Sequence, residues 1–232
     1  MRLTSSSSAT AAALHRRWIW RCARFNPNLE QSWFGALMEI INNVTMLSII
    51  LTGAAVIRER EHGTLEHLLV MPLTPFEIMS AKVWANGLVV LVGAAVSLKF
   101  IVEGALGMPI AGSILLFLFG AMLHLFSTTS MGILLATIAR SMPQFGLLMI
   151  LIVLPMQMLS GGVTPRESMP EFVQNVMLAA PTTHFTALAQ GILYRGAGFD
   201  IVWPQLAAIV GLGVVFFVIA LLRFRASLAA QS

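Results

Sequence analysis

Five stretches of this chain run almost without charge for lengths that a soluble fold rarely needs: residues 34–57, 83–102, 113–139, 145–159 and 201–222. An α-helix crosses about 30 Å of hydrocarbon with roughly 20 apolar residues, because only a helix satisfies all its own backbone hydrogen bonds in lipid. Four of the five meet that length outright. The fourth stretch is shorter and contains Pro155, so it is expected to start at Met142 or Gln144 and to run as a bent helix into Ser160-Gly161-Gly162. The composition agrees: 57% of residues are hydrophobic and 10% charged, against about 25% charged in soluble domains. The expected fold is therefore an all-α polytopic membrane protein with five transmembrane helices. The net charge of +4 is spread thinly between apolar runs, a pattern that sets topology and gives no basic surface for nucleic acid. The single cysteine, Cys22, excludes an internal disulfide and any cysteine-based zinc site.

Lys and Arg in short connections are retained on the cytoplasmic side. If the spans alternate, Arg58, Arg60, Lys82, Arg140, Arg223 and Arg225 share one side, which is then the cytoplasm, and the C-terminus is cytoplasmic. Five alternating spans ending inside must begin outside. The first residues contradict this, since Arg2, Arg16, Arg17, Arg21 and Arg24 precede the first span. Residues 1–24 read as a basic leader, disordered or artefactual. The alternative is an amphipathic segment on the membrane surface around Trp18-Ile19-Trp20. Residues 25–232 form the transmembrane domain, with spans expected at about 34–57, 75–102, 113–139, 143–160 and 201–222.

The first cytoplasmic connection is patterned more strongly than a turn requires. Thr64 can cap a helix with Glu66 in its first turn, Leu65, Leu68 and Leu69 fall on one face, and Pro72 ends it. That predicts two turns of amphipathic helix over residues 64–71 at the cytoplasmic surface. Thr74-Pro75-Phe76-Glu77 follows as a capping box with proline at the first helical position, so the second span starts ahead of the membrane. Lys82 is expected to extend its ammonium to the interface. The connection is either a well-ordered turn or a docking element for a cytoplasmic partner. His62 and Glu66 lie four apart, but no third ligand at helical spacing accompanies them.

Glu59-Arg60-Glu61-His62-Gly63-Thr64-Leu65-Glu66, followed by Leu68-Leu69, Pro72, Thr74-Pro75, Glu77 and Lys82, resembles the cytoplasmic signature of ABC-2 type permeases of ATP-binding-cassette transporters, in their bacterial exporter branch. The resemblance runs from about Arg24 to the C-terminus. It takes in Phe25-Asn26-Pro27, Ile138-Ala139-Arg140-Ser141, Leu159-Ser160-Gly161-Gly162 with Pro165, and Pro181-Thr182-Thr183-His184. It implies that the Gly-Thr-Leu-Glu element is a coupling helix seated in a groove of the ATPase. Glu59, Glu61, Gly63, Thr64, Leu65, Glu66 and Leu68 would then be the ATPase-coupling residues. The family usually has six spans, with a large extracytoplasmic domain after the first in the exporter branch. This sequence shows neither the first span nor that domain, which implies a truncated permease and accounts for the topology conflict.

The resemblance also implies partners: two copies of an ABC ATPase, a second permease as homodimer or sister subunit, and a periplasmic adaptor protein. All would assemble in a bacterial inner membrane, with no cofactor. Residues 161–200 fit the same picture. Ser/Thr-x-x-Glu patterns at Thr164 and Ser168 and a third start at Pro181-Thr182-Thr183 predict short extracytoplasmic helices that dip back into the membrane. The other reading is an ordered external cap. Their apolar positions are Phe172, Val173, Val176 and Met177, then Phe185, Leu188, Ala189 and Ile192.

Glu39 is the only acidic residue well inside a span, and with Asn42 and Asn43 it shares one helical face. That stripe is a candidate lining of the transport pathway or of the interface between two permeases, unless it serves interhelical hydrogen bonding or lies near the outer surface. His124, Ser127, Thr128 and Ser130 are read as packing, because hydroxyls bond readily to their own helix.

Neither Lys82 nor Lys99 completes Gly-x-x-x-x-Gly-Lys-Ser/Thr, the loop whose amides cradle nucleotide phosphates. ATP hydrolysis would have to come from a partner, so the chain is expected to be a transport subunit and no enzyme. The expected function is the permease of an ATP-driven exporter of a hydrophobic or drug-like solute. An ATP-independent carrier or channel subunit is the competing class, with an inactive truncated permease as the other alternative. Carriers usually show two related halves, and no internal repeat is visible here.

Overall fold

The computed structural model describes residues 31–62, 74–105, 110–162, 164 and 168–229. The leader, the helix expected over 64–71, and most of the capping pattern that begins at Thr164 lie outside the described residues. Seven helices make up the described fold, with no strand among those residues. They are α1 (Gln31–Glu61), α2 (Pro75–Val96), α3 (Ile114–Ile138), α4 (Met142–Met158), α5 (Glu171–Met177), α6 (Pro181–Arg195) and α7 (Phe199–Ala229). α2 continues into a π-helical stretch, Ser97–Ala105.

α1, α2, α3 and α7 are long and apolar enough to cross a bilayer. α4 has 17 residues, at the lower limit for a span. It starts at Met142, as expected, and carries Pro155 inside the helix. It ends at Met158, before Gly161, whose φ of 92° suits glycine because a side chain would be strained there. The chain is a multi-pass, all-α membrane protein.

Side-chain caps set the starts of α2 and α3. Glu77 N–H donates to Thr74 Oγ1 over 3.3 Å while the Glu77 carboxylate accepts from Thr74 N–H at 2.7 Å, the expected capping box at the start of α2. Ser113 caps α3 through its hydroxyl alone, which accepts from the Leu116 N–H at 3.4 Å. α5 is a correction. The Ser168 pattern predicts a serine cap, but the helix begins at Glu171 with Pro170 as its cap residue and no side-chain cap bond. Pro170 holds the extended conformation that the serine was expected to supply (φ −56°, ψ 144°).

α3 is the central column, packed against α1, α2, α6 and α7. Fourteen of its 25 residues are buried, so its apolar character runs all round, as a helix inside a bundle requires. Two apolar cores lie along it. One joins Leu37, Ile41, Val90, Phe117, Phe185 and Leu188, and the other joins Ile57, Met79, Ile133, Ala136, Phe145 and Phe217. Small residues let the helices approach: a Cβ on Gly132 would lie 2.8 Å from the Ile49 carbonyl oxygen. Such close backbone contact is how helices associate in lipid, where apolar burial supplies no drive. α2 and α7 turn broad apolar faces outward, with Leu88, Val89, Val92, Val215 and Leu222 exposed. Hydrocarbon is the medium those faces suit.

α6 enters the bundle. Phe185, Leu188, Ala189 and Ile192 are fully buried in the first core. α5 stays peripheral, with Phe172 and Val176 exposed and Met177 buried. Gly196 closes α6 in the left-handed conformation, φ 64°.

Candidate functional site

The basic residues assigned to one side of the membrane do gather at one end of the bundle. α1 reaches that end with Arg58-Glu59-Arg60-Glu61, and three consecutive side chains tie it to three other elements. Glu59 pairs with Lys82 of α2. Lys82 is 14% exposed, and its ammonium is held by the Glu59 carboxylate. Arg60 donates through Nη1 to the Ala136 carbonyl at 3.3 Å and through Nη2 to that of Ala139. These carbonyls belong to the last turn of α3, where four C=O groups lack helical partners and a cation complements the dipole. Glu61 accepts from the Met142 N–H at 3.0 Å, the first residue of α4, where an anion complements the opposite dipole end. Ser141, in the cap position of α4, makes no side-chain cap bond, so the glutamate of another helix takes that role.

Of the seven expected coupling residues, Glu59 and Glu61 are thus engaged with their own chain. Gly63, Thr64, Leu65, Glu66 and Leu68 lie outside the described residues. The residue that sequence reasoning passed over is Arg60, read only as a topology signal.

The expected stripe on α1 lies within the described residues. Asn43 Nδ2 donates to Glu39 Oε1 at 3.2 Å, and both residues are exposed. The Asn42 backbone carbonyl accepts from Gln157 Nε2 of α4 at 2.9 Å. The structure therefore joins Glu39 with Asn43 by a side-chain hydrogen bond on an exposed face of α1.

Between the two cores α1 and α3 are joined by polar contacts. His124 Nε2 lies 2.9 Å from Thr45 Oγ1, and Ser48 Oγ donates to Thr128 Oγ1 at 2.7 Å. All four residues are fully buried. The His124 ring stacks on Phe185 of α6, with centroids 4.1 Å apart and planes 8° from parallel. Thr128 and Ser130 also bond back to carbonyls of their own helix, as expected. The packing reading of His124 thus acquires a partner that sequence did not reveal, Thr45.

At the opposite end, Ala111 N–H donates to the Leu193 carbonyl at 3.2 Å. Gly112 lies against the Ile192 backbone so closely that no Cβ would fit. These contacts fix α6 to the start of α3, away from the charged end.

The model of the ABC-2 type transporter family matches residues 12–194. The inner membrane transport permease YhhJ of Escherichia coli (strain K12) is 66% identical over 209 residues, which cover 90% of this chain and 56% of YhhJ. The probable multidrug ABC transporter permease YbhR of the same strain is 35% identical over 183 residues, 78% of this chain and 49% of YbhR. YbhS, also named a probable multidrug ABC transporter permease, is 32% identical over 178 residues, 74% of this chain and 46% of its own length. The chain spans about half the length of these curated relatives. With more than half of its residues matched by the family model, the chain belongs to the ABC-2 type transporter family.

Proposed function

We propose that the chain acts as the permease subunit of an ATP-driven exporter in the bacterial inner membrane, powered by a separate ABC ATPase. The observation that carries the reading is the charged end of α1. A span leads without interruption into the Glu59–Glu66 connection, and that connection leads into a second, rigidly capped span. A push on the connection therefore reaches two transmembrane helices directly. The sequence has no phosphate-binding loop of its own, which leaves ATP binding to a partner. The ATPase would be present in two copies, with a second permease completing the pathway and a periplasmic adaptor beyond it. The C-terminus lies with the basic residues on the cytoplasmic side. Two of the relatives carry the words multidrug and permease in their names, which supports a hydrophobic or drug-like solute. In this scheme Glu39, Asn42 and Asn43 on the first spanning helix face the pathway or the second permease, since lipid would penalise such polar groups.

The test uses everted membrane vesicles from cells expressing the chain with its ATPase. Uptake of the lipophilic dye Hoechst 33342 should begin on ATP addition and stop with vanadate. Uptake driven by a proton gradient with ATP absent would instead place the chain among secondary carriers.

A further inference from the structure

Three adjacent residues at the end of α1 contact three different elements, and each contact is chemically matched. Glu59 meets the Lys82 ammonium on α2. Arg60 meets the carbonyl end of α3, and Glu61 meets the amide end of α4. Successive positions on a helix point about 100° apart, so three neighbours reach three partners only when the helix end is surrounded. Arg60 and Glu61 together straddle the α3–α4 break at Arg140-Ser141. Their charges match the dipole end that each one caps, so exchanging the two would place like charge against like. Around this point Ile57, Met79, Ala136 and Ala139 are buried in one apolar core, which holds the polar contacts in place from the membrane side.

We propose that Glu59, Arg60 and Glu61 are positioning residues that clip the coupling connection to α2, α3 and α4. Movement imposed on residues 63–73 is then delivered to the cytoplasmic end of the bundle as one body. This inference deepens the exporter reading and rests on it. Without the clip, α1 would end in a free turn leading into the connection, and a push there would be absorbed by bending or fraying of that turn. With the clip, α1 cannot shift relative to the α3–α4 break without breaking contacts at both helix ends.

The test is a pair of spin labels on the purified permease–ATPase complex, in a Cys22→Ser background with Arg58→Cys on α1 and Arg140→Cys in the α3–α4 break. Both positions are exposed. Dipolar broadening is recorded without nucleotide and after vanadate trapping. The clip predicts that the separation between the labels stays constant across the two states. In Arg60→Ala, and separately in Glu61→Gln, it should change by a helix shift of about 1–2 Å or more. Should either variant fail to assemble, the exchanged pair Glu59→Lys with Lys82→Glu provides the second comparison. Because Glu59 ties α1 to α2, this comparison reads Arg58→Cys against Ala81→Cys, an exposed position on α2: Glu59→Lys alone should let that separation change on trapping, and the exchange should restore the constant separation. A separation that changes on trapping in the unmodified clip would overturn the proposal. So would variants whose separation stays as constant as that of the parent. If no ATPase accompanies the chain at all, the exporter reading itself fails and takes the clip with it, an outcome recognised before any label is read.

Discussion

Replacing Glu66 with arginine is expected to strip the ATPase from the purified permease while leaving the chain inserted in the membrane. The glutamate sits in the first turn of the helix expected over residues 64–71, where a carboxylate complements the positive end of the helix dipole. Arginine reverses that sign at the surface the partner must meet. Removing one member of a desolvated charge pair at an interface costs about 2–5 kcal/mol, and reversal adds repulsion. A loss of more than about 100-fold in affinity follows, at about 1.4 kcal/mol for each factor of ten. Membrane insertion depends on the apolar spans and should be unchanged. Quantifying the ATPase retained on the tagged chain, with membrane content as the control, checks both halves. Full retention would remove residues 64–71 from the docking role.

The second large effect is structural. Gly132 on α3 faces the backbone of α1, where an added Cβ would lie 2.8 Å from the Ile49 oxygen and 3.1 Å from its Cα. A side chain can move aside by changing rotamer, but two helix backbones in contact cannot. Gly132→Leu should therefore push α1 from α3 and break the Thr45–His124 and Ser48–Thr128 bonds that depend on their spacing. Overpacking a tight core costs about 1–3 kcal/mol and at times more, and this site belongs at the upper end. A fall in Tm of roughly 6–12 °C follows for a chain of this size, read from thermal unfolding in detergent. Gly146→Ala, where an added methyl meets nothing within 4 Å, is the control and should shift Tm little. Equal shifts in the two variants would contradict the packing described here.

The parts of this molecule legible in its sequence are those decided locally or by the solvent. The bilayer sets span length, so the apolar runs over 113–139 and 201–222 are found close to the observed α3 and α7. The α2 capping box lies within four residues, Thr74 to Glu77, and every one of its hydrogen bonds is local. Ser168 looked like a comparable signal and was not, because the prolines around that turn leave the cap position to Pro170. The contacts that define the charged end could not be read. Arg60 meets carbonyls 76 and 79 positions away, and Glu61 meets an amide 81 positions away. Nothing in the local pattern of Glu59-Arg60-Glu61 distinguishes a clip from three solvated charges. The Thr45–His124 contact spans 79 positions and is equally silent in sequence, since each residue alone passes for a polar group packed in a span. In the Glu39 stripe, the Asn43–Glu39 bond spans four positions and follows from helical periodicity, whereas the bond from Gln157 Nε2 to the Asn42 backbone carbonyl spans 115 positions and does not.

Affinity purification of the tagged chain from solubilised membranes tests the central claim most directly, with vanadate-sensitive ATP hydrolysis assayed in the eluate. A second polypeptide carrying that activity, absent from a mock purification, is the predicted result. A chain that inserts stably and elutes with no ATP hydrolysis above background would contradict an ATP-powered permease.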